Sequence, residues 1–154
     1  MRYWCLSTSK ENWQVCKDNL VWGMDYRYYV TLKKFVKKGD KAIVYTHGGE
    51  FVAVVEINGE MKETFKYIGW TKNKKPYMFP YHVPLKILKE GKISISYSTT
   101  NDQENMEKAV WSRPNFIDEL VFIADKGKTW NQYLQVSIVR ITKEDFDCVE
   151  SNLE

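Results

Sequence analysis

The residues with the clearest chemical capacity are aromatic rings set beside lysines and glycines. Six tryptophans and ten tyrosines stand among the 154 residues, several of them in mixed segments: VWGM at 21–24, IGWTKNKK at 68–75 and GKTW at 127–130. A nucleic-acid base has two π faces and a hydrogen-bonding edge, so a site for one needs a stacking ring, one or two polar groups and cations for the phosphates. The same rings serve equally well as core filling, because they bury the largest areas of any side chain. Pattern alone leaves both readings open.

Other chemistries find little support. The chain has no GxxxxGK[ST] phosphate loop, no GxGxxG after a strand, no HExxH and no GxSxG. His47 and His82 are the only histidines; a two-His metal site would need both and has no further ligand pattern. Cys5, Cys16 and Cys148 are odd in number, far apart and without a CxxC pair, so they read as buried or incidental thiols. Nothing local favours Cys16 facing His82 as a nucleophile and base. Asp145 and Asp147 are expected on a solvated helix face. Metal catalysis is therefore not expected and no cofactor is indicated, while a Cys16–His82 pair, and with it an enzyme acting on a nucleotide, stays open at this point.

Charge is lopsided. Residues 1–92 hold 17 Lys/Arg against 9 Asp/Glu, a balance of +8, and residues 93–154 hold 6 against 11, a balance of −5, for a total of +3. The basic excess lies in LKKFVKKGDK at 32–41 and KYIGWTKNKKPY at 66–77, both broken by turn formers. One face is thus expected to attract phosphate, although surface lysines also serve solubility.

These residues must be positioned by ordinary globular elements. A hydrophobic fraction of 44% with 28% charged residues describes a packed chain, and the length suits one domain, 1–154. No segment is apolar enough to enter a membrane. MRYWCLSTSKENW at the start lacks the features of a secretory signal, which predicts a cytoplasmic location. RYWCL at 2–6 reads as a buried strand. Ser7 or Ser9 then caps a helix to about Leu20, with Trp13, Cys16 and Leu20 as its apolar stripe. A short helix over Tyr29 to Phe35 follows. KAIVYT and EFVAVVEI form a hairpin across HGGE; ETFKYIGW and YHVPLKIL extend the sheet, with Pro84 demoting the latter to an edge or bulged strand. KISISYS is a further strand or the start of an irregular stretch. TTNDQENMEK and FIDELVFI read as a polar loop running into a helix. YLQVSIVRI is a last strand, and Thr142 with Asp145 begins a helix that buries Phe146, Val149 and Leu153. This order suggests an α+β domain on a curled or closed, mostly antiparallel sheet.

The segments YWCLSTSKENW, NLVWG, TLKKFVKKGDKAIVY, FVAVVEI, YMFPYHVPLK and TWNQYL…IVRITKEDF, in that order, resemble the EVE domain family, particularly its stand-alone archaeal type. The resemblance fails over about residues 94–118, which read as an insertion. It implies a PUA-like fold: a small, mostly antiparallel β-barrel with helices packed around it. It also implies a binding module and no enzyme, since EVE domains are similar to the YTH domains that read N6-methyladenine in RNA through an aromatic cage, and are linked to modified cytosines in DNA.

On that resemblance, Trp22 stands where the YTH-like pattern has its first cage wall, and Asn12, ten positions earlier, where that pattern has an acidic residue meeting the base edge. Asn offers a donor as well as an acceptor, which puts a preference for methyladenine in doubt. Thr8 and Gly23 are smaller than usual for the pattern and leave room for another base or modification. Tyr77 or Trp70 supplies the second wall, with His82 as a lining group. Lys72, Lys74 and Lys75, helped by Lys126 and Lys128, would hold phosphates. The expected partner is DNA or RNA carrying a modified base, a modified cytosine or methylated adenine. The alternative is a PUA-like accessory protein for tRNA or rRNA without base selectivity. Gly23 is expected to admit a base edge to the backbone, so that a bulky residue there would block ligand and spare the fold.

Overall fold

The computed structural model describes residues 1–95, 97–99, 109–111, 120–122, 134 and 136–154. The chain runs β1 (Tyr3–Thr8), α1 (Lys10–Asn19), β2 (Val21–Met24), α2 (Tyr29–Lys34), β3 (Lys41–Thr46) and β4 (Glu50–Ile57). It continues through β5 (Lys62–Glu63), β6 (Thr71–Lys72), β7 (Lys75–Pro76), β8 (Tyr81–Ser94), β9 (Tyr97–Thr99), β10 (Ala109–Trp111), β11 (Ile138–Ile141) and α3 (Lys143–Asn152). The large sheet has the order β11-β1-β3-β4-β8-β2, with β5 also on β8, and curls into a half-barrel. Only β1 and β3 are parallel within it; β6–β7 and β9–β10 are separate pairs.

β1 is apolar on both faces because it lies between β3 and β11 and has a core on either side. Trp4 and Leu6 enter one cluster with Trp13, Trp22, Val44 and Val55, while Cys5 enters a second with Ile43, Phe51, Phe146 and Val149. The two-residue period of a strand makes this division automatic. β4 departs from it: Phe51 and Val54 share the second core although three residues apart. The pairing with β3 passes over Val52 between Ala53 and Phe51, and this bulge resets the alternation.

The helix ends follow their local chemistry. Ser9 Oγ accepts from Asn12 N at 3.1 Å, and Leu20 closes α1 in the left-handed region at φ 53°. Leu20 is 48% exposed, so it completes the helix through its backbone and adds nothing to the buried stripe of Trp13 and Cys16. Thr142 caps α3 through Asp145 N at 3.1 Å, and Phe146, Val149 and Leu153 bury as expected.

VWGM, to which the sequence assigned no element, is a strand, β2, paired with Tyr81–Pro84. Two expectations change, at ETFKYIGW and at Asp145. ETFKYIGW contributes only Lys62 and Glu63 to the sheet. Pro84 lies inside a fourteen-residue strand that is bulged, its register against β4 shifting twice; the β2 ladder stops opposite Pro84, so its missing N–H costs little, and its carbonyl still accepts from Asn58 N at 2.9 Å. Asp145 is fully buried, not solvated, and accepts from Val121 N at 2.6 Å and Phe122 N at 2.8 Å, pinning that segment to α3. Only Asp147 behaves as a surface charge, paired with Lys143. Of the expected polar loop at 99–108 only Thr99, in β9, is described, and of the helical segment expected at 116–123 only Leu120, Val121 and Phe122, which are not helical; the remainder of both, most of the 94–118 insertion, and Lys126 and Lys128 lie outside the described residues.

Asp40 joins the start of β1 to the turn after α2. Its oxygens accept from Arg2 N at 3.0 Å, Trp4 Nε1 at 3.1 Å and Lys37 N at 3.0 Å, and it is 4% exposed. Asp40→Ala strands three donors, one of them the buried indole, and is expected to lower stability by about 2–4 kcal/mol in urea unfolding.

Candidate functional site

Three segments meet beyond the end of β1. The first is the junction of β1 and α1, where the Ser9 cap sets Asn12 in the first helical turn with its side chain reaching across to β6. Asn12 Nδ2 donates to Thr71 O at 2.8 Å, and its Oδ1 accepts from Thr71 N at 2.9 Å. One amide therefore pairs with both backbone groups of Thr71, as a neighbouring strand would.

The second segment is the β6–β7 hairpin, with Thr71 opposite Pro76 and Lys72 opposite Lys75. Asn73 and Lys74 both have positive φ, 54° and 63°, the geometry of a tight two-residue turn. Asn tolerates it; for Lys74 it is uncommon. The hairpin thrusts Lys72, Lys74 and Lys75 outward. The third segment follows β2: Asp25 accepts a hydrogen bond from the Tyr77 hydroxyl and lies 3.5 Å from Lys72 Nζ, whose ammonium also stands 4.9 Å above the Tyr77 ring. Hydrogen bonding to this carboxylate raises the Tyr77 hydroxyl above its ordinary pKa.

Between these segments lies a groove of about 660 Å³. Ser7, Thr8, Ser9, Glu11 and Asn12 form one wall, Asp25, Arg27 and Tyr28 a second, and Thr71, Lys72, Asn73, Lys74 and Phe79 a third, with His47 and Ser137 at the rim. Of the residues expected from sequence, the groove gathers Thr8, Asn12, Lys72 and Lys74. Lys75 and Tyr77 belong to the same hairpin but do not line it. Sequence reasoning missed Asp25, Arg27, Tyr28, Phe79 and His47. The cluster MDYRY at 24–28, directly after Gly23, was the available signal for three of them.

The two tryptophans lie behind the groove. Trp22 is 3% exposed and Trp70 1%, and both belong to the first core. Alternation along β2 explains the arrangement: Trp22 and Met24 point into the core, and Gly23 with its partner His82 points to the other face, where Trp70 covers them. A Cβ on Gly23 would come within 2.4 Å of Trp70 Cη2. The small residue thus makes room for the indole, not for a base edge. Trp70 meets Phe79 at 5.2 Å and His82 at 4.9 Å, both edge-on, and so braces the groove wall. The indole N–H of Trp22 has no hydrogen-bond partner among the described residues.

Burial pushes the thiols of Cys5 and Cys16 up to about 12, so neither is a thiolate nucleophile near neutral pH. Burial lowers His47, and lowers His82 against the opposing effect of its hydrogen bond to Phe79 O at 3.0 Å. Among the described residues no three of His, Cys, Asp and Glu could hold a metal ion, and no helix is long and apolar enough to cross a membrane.

A sequence model of the EVE domain matches residues 2–152. The UPF0310 protein of Pyrococcus horikoshii is 27% identical over 169 residues, covering 99% of each chain, and its Pyrococcus abyssi counterpart is 29% identical over 167 residues, covering 99% of this chain and all of the other. Among solved structures, the Mmi1 YTH domain has a TM-score of 0.58 at 7% identity, covering 99% of this chain and 74% of that one. A Pseudomonas syringae protein has a TM-score of 0.54 at 10% identity, covering 97% of each. These likenesses carry the fold: a PUA-like half-barrel of the YTH and EVE type.

Two outcomes follow from the packing. Gly23→Ala displaces Trp70 and is expected to destabilise the fold by about 1–3 kcal/mol, visible as a lowered Tm. The two histidines have native pKa values below the unfolded 6.5, so the folded state binds fewer protons than the unfolded one in acid. Their contribution is complete above pH 6.5 and is lost as the pH falls through the native values. His47→Gln/His82→Gln should flatten the stability profile between about pH 7 and 5, measured by urea unfolding.

Proposed function

The chain belongs to the EVE domain family, and from that premise we propose that it is a non-catalytic nucleic-acid-binding module that holds one flipped, modified base in the groove beside the lysine hairpin. The groove carries this reading, because it sets two rings, Tyr28 and Phe79, beside polar groups at Thr8 and Asn12 and lysines at 72 and 74. Asn12 spends one amide hydrogen and one lone pair on Thr71. A second hydrogen and a second lone pair remain for a base edge, together with the Thr8 hydroxyl. In this reading Trp22, Gly23, Trp70, Tyr77 and His82 form the backing that fixes Phe79 and the hairpin. A cage between Trp22 and Trp70 themselves would need Trp70 to leave Gly23.

Magnitudes divide the work. Stacking supplies roughly 1–3 kcal/mol per base, and extrusion from a duplex costs a few kcal/mol, so the two nearly cancel. A methyl group adds only about 0.8 kcal/mol by burial. Phosphate contacts from Lys72, Lys74 and Lys75 must then carry affinity, and edge contacts must carry selectivity between a modified cytosine and a methylated adenine. The burial of both tryptophans favours a second reading: an RNA-binding accessory module whose open groove takes a strand without choosing a modified base.

Fluorescence anisotropy with single strands differing only in one modified base separates the two. Removing the three lysine charges by Lys72→Gln/Lys74→Gln/Lys75→Gln should flatten the salt dependence, by about 0.7 in log–log slope for each lost phosphate contact. Tyr28→Ala and Phe79→Ala should each erase any preference for the modified strand. A wild-type preference of one, with binding still dependent on the lysines, establishes the accessory module. Strand binding indifferent to all three changes sinks both readings.

A further inference from the structure

The basic stretch at 32–41 plays no part in the groove, and it ends in a second cavity at the opposite end of β1. This cavity, of about 530 Å³, is lined by Arg2 ahead of β1, Lys37 and Lys38 in the turn after α2, and Arg140 on β11. Segments far apart in the chain therefore converge cations on one space. Among the described residues, none of the four has a carboxylate within ion-pair distance; the pairs present involve Lys10, Lys17, Lys72, Lys92 and Lys143 instead. Asp40 also borders the cavity, but it is 4% exposed and already holds three N–H donors.

The cations are partly ordered in advance. Arg2 donates from Nη1 to Phe35 O at 2.9 Å and stacks 5.2 Å from the Phe35 ring centroid, and Lys37 Nζ donates to Lys33 O at 3.2 Å. Arg140 pairs in register with Trp4, whose indole is tied to Asp40. Four like charges facing one space repel one another, and an incoming anion relieves that repulsion. A phosphate suits them best, because two guanidinium forks can each take two of its oxygens while lysines contribute point charge.

We propose that this cavity is a phosphate-binding site, separate from the groove and standing on its own cations whether or not the groove takes a base. Arg2 and Thr8 mark opposite ends of β1, about 20 Å apart at roughly 3.3 Å per residue. That distance spans about six phosphates of a strand in duplex geometry. The phosphate is then either the backbone of a strand whose other part lies in the groove or the end of a free polyphosphate, and the chemistry recognised is the same.

The test uses inorganic tripolyphosphate by titration calorimetry, and single strands of about 4 and about 16 nucleotides by anisotropy, on the full chain. Arg2→Gln/Lys38→Gln/Arg140→Gln removes three charges. Lys38→Glu, on an exposed residue, answers the same question should the triple variant fold poorly. Tripolyphosphate binding is expected to weaken about tenfold in both, through lost charge. If the 16-mer weakens too, with a log–log salt slope lower by about 2 in the triple variant, and the 4-mer does not, the phosphate is strand backbone. Weakening of tripolyphosphate alone assigns the site to a free polyphosphate. Unchanged binding of both tripolyphosphate and the 16-mer in a folded variant overturns the site. The groove is read separately, by binding of the 4-mer, which Arg2→Gln/Lys38→Gln/Arg140→Gln should leave as in the wild type.

Discussion

Everything in the fold is arranged around one strand that has no exposed face. β1 is hydrogen-bonded on both edges and packed on both sides, Trp4 and Leu6 filling one core and Cys5 the other. A strand so enclosed cannot slip by one residue without exchanging its contributions to both cores, so its register is fixed. The fixed strand then delivers two cavities. Its end, through Thr8 and the Ser9 cap, starts the groove; its beginning, through Arg2 and the Asp40 clamp, starts the cationic cavity.

The groove depends on polar pairing as much as on apolar packing. β6–β7 is only a two-residue ladder and would have little stability alone. It is held by the Asn12 amide on one side and by the contacts of Asp25 with Tyr77 and Lys72 on the other. Trp70, at the base of the same hairpin, is anchored in the core against Gly23. The lysines thus ride on a short element tied down at three points, while their ammonium groups stay free of the core.

Part of the site could be read from the chain directly. Thr8 and Asn12 are implied by the family resemblance, and Lys72 and Lys74 by a basic turn containing Asn; the groove brings the four together. The role of Gly23 could not be read, because it rests on which residue forty-seven positions later covers it. The resemblance puts Trp22, with Tyr77 or Trp70, around an open pocket, yet strand alternation and the Trp70 contact leave both tryptophans buried. Asp145 shows the same limit in reverse. Its spacing from Thr142 identifies a helix start, but its burial depends on Val121 and Phe122 arriving from outside the helix.

The sequence by itself determined the elements with strong local signals: β1, the Ser9-capped α1, α2, the β3–β4 hairpin and the Thr142-capped α3. It also marked both lysine-rich turns and, through the order of its segments, the family. Only tertiary structure decided which rings are walls and which are core, that Asn12 pairs with Thr71, and that Arg2, Lys37, Lys38 and Arg140 surround one space. The reason is physical. Caps, turns and alternation act over a few residues and are written in neighbouring side chains, whereas a groove or a cluster of charge is made by segments that meet only after the sheet has closed around β1.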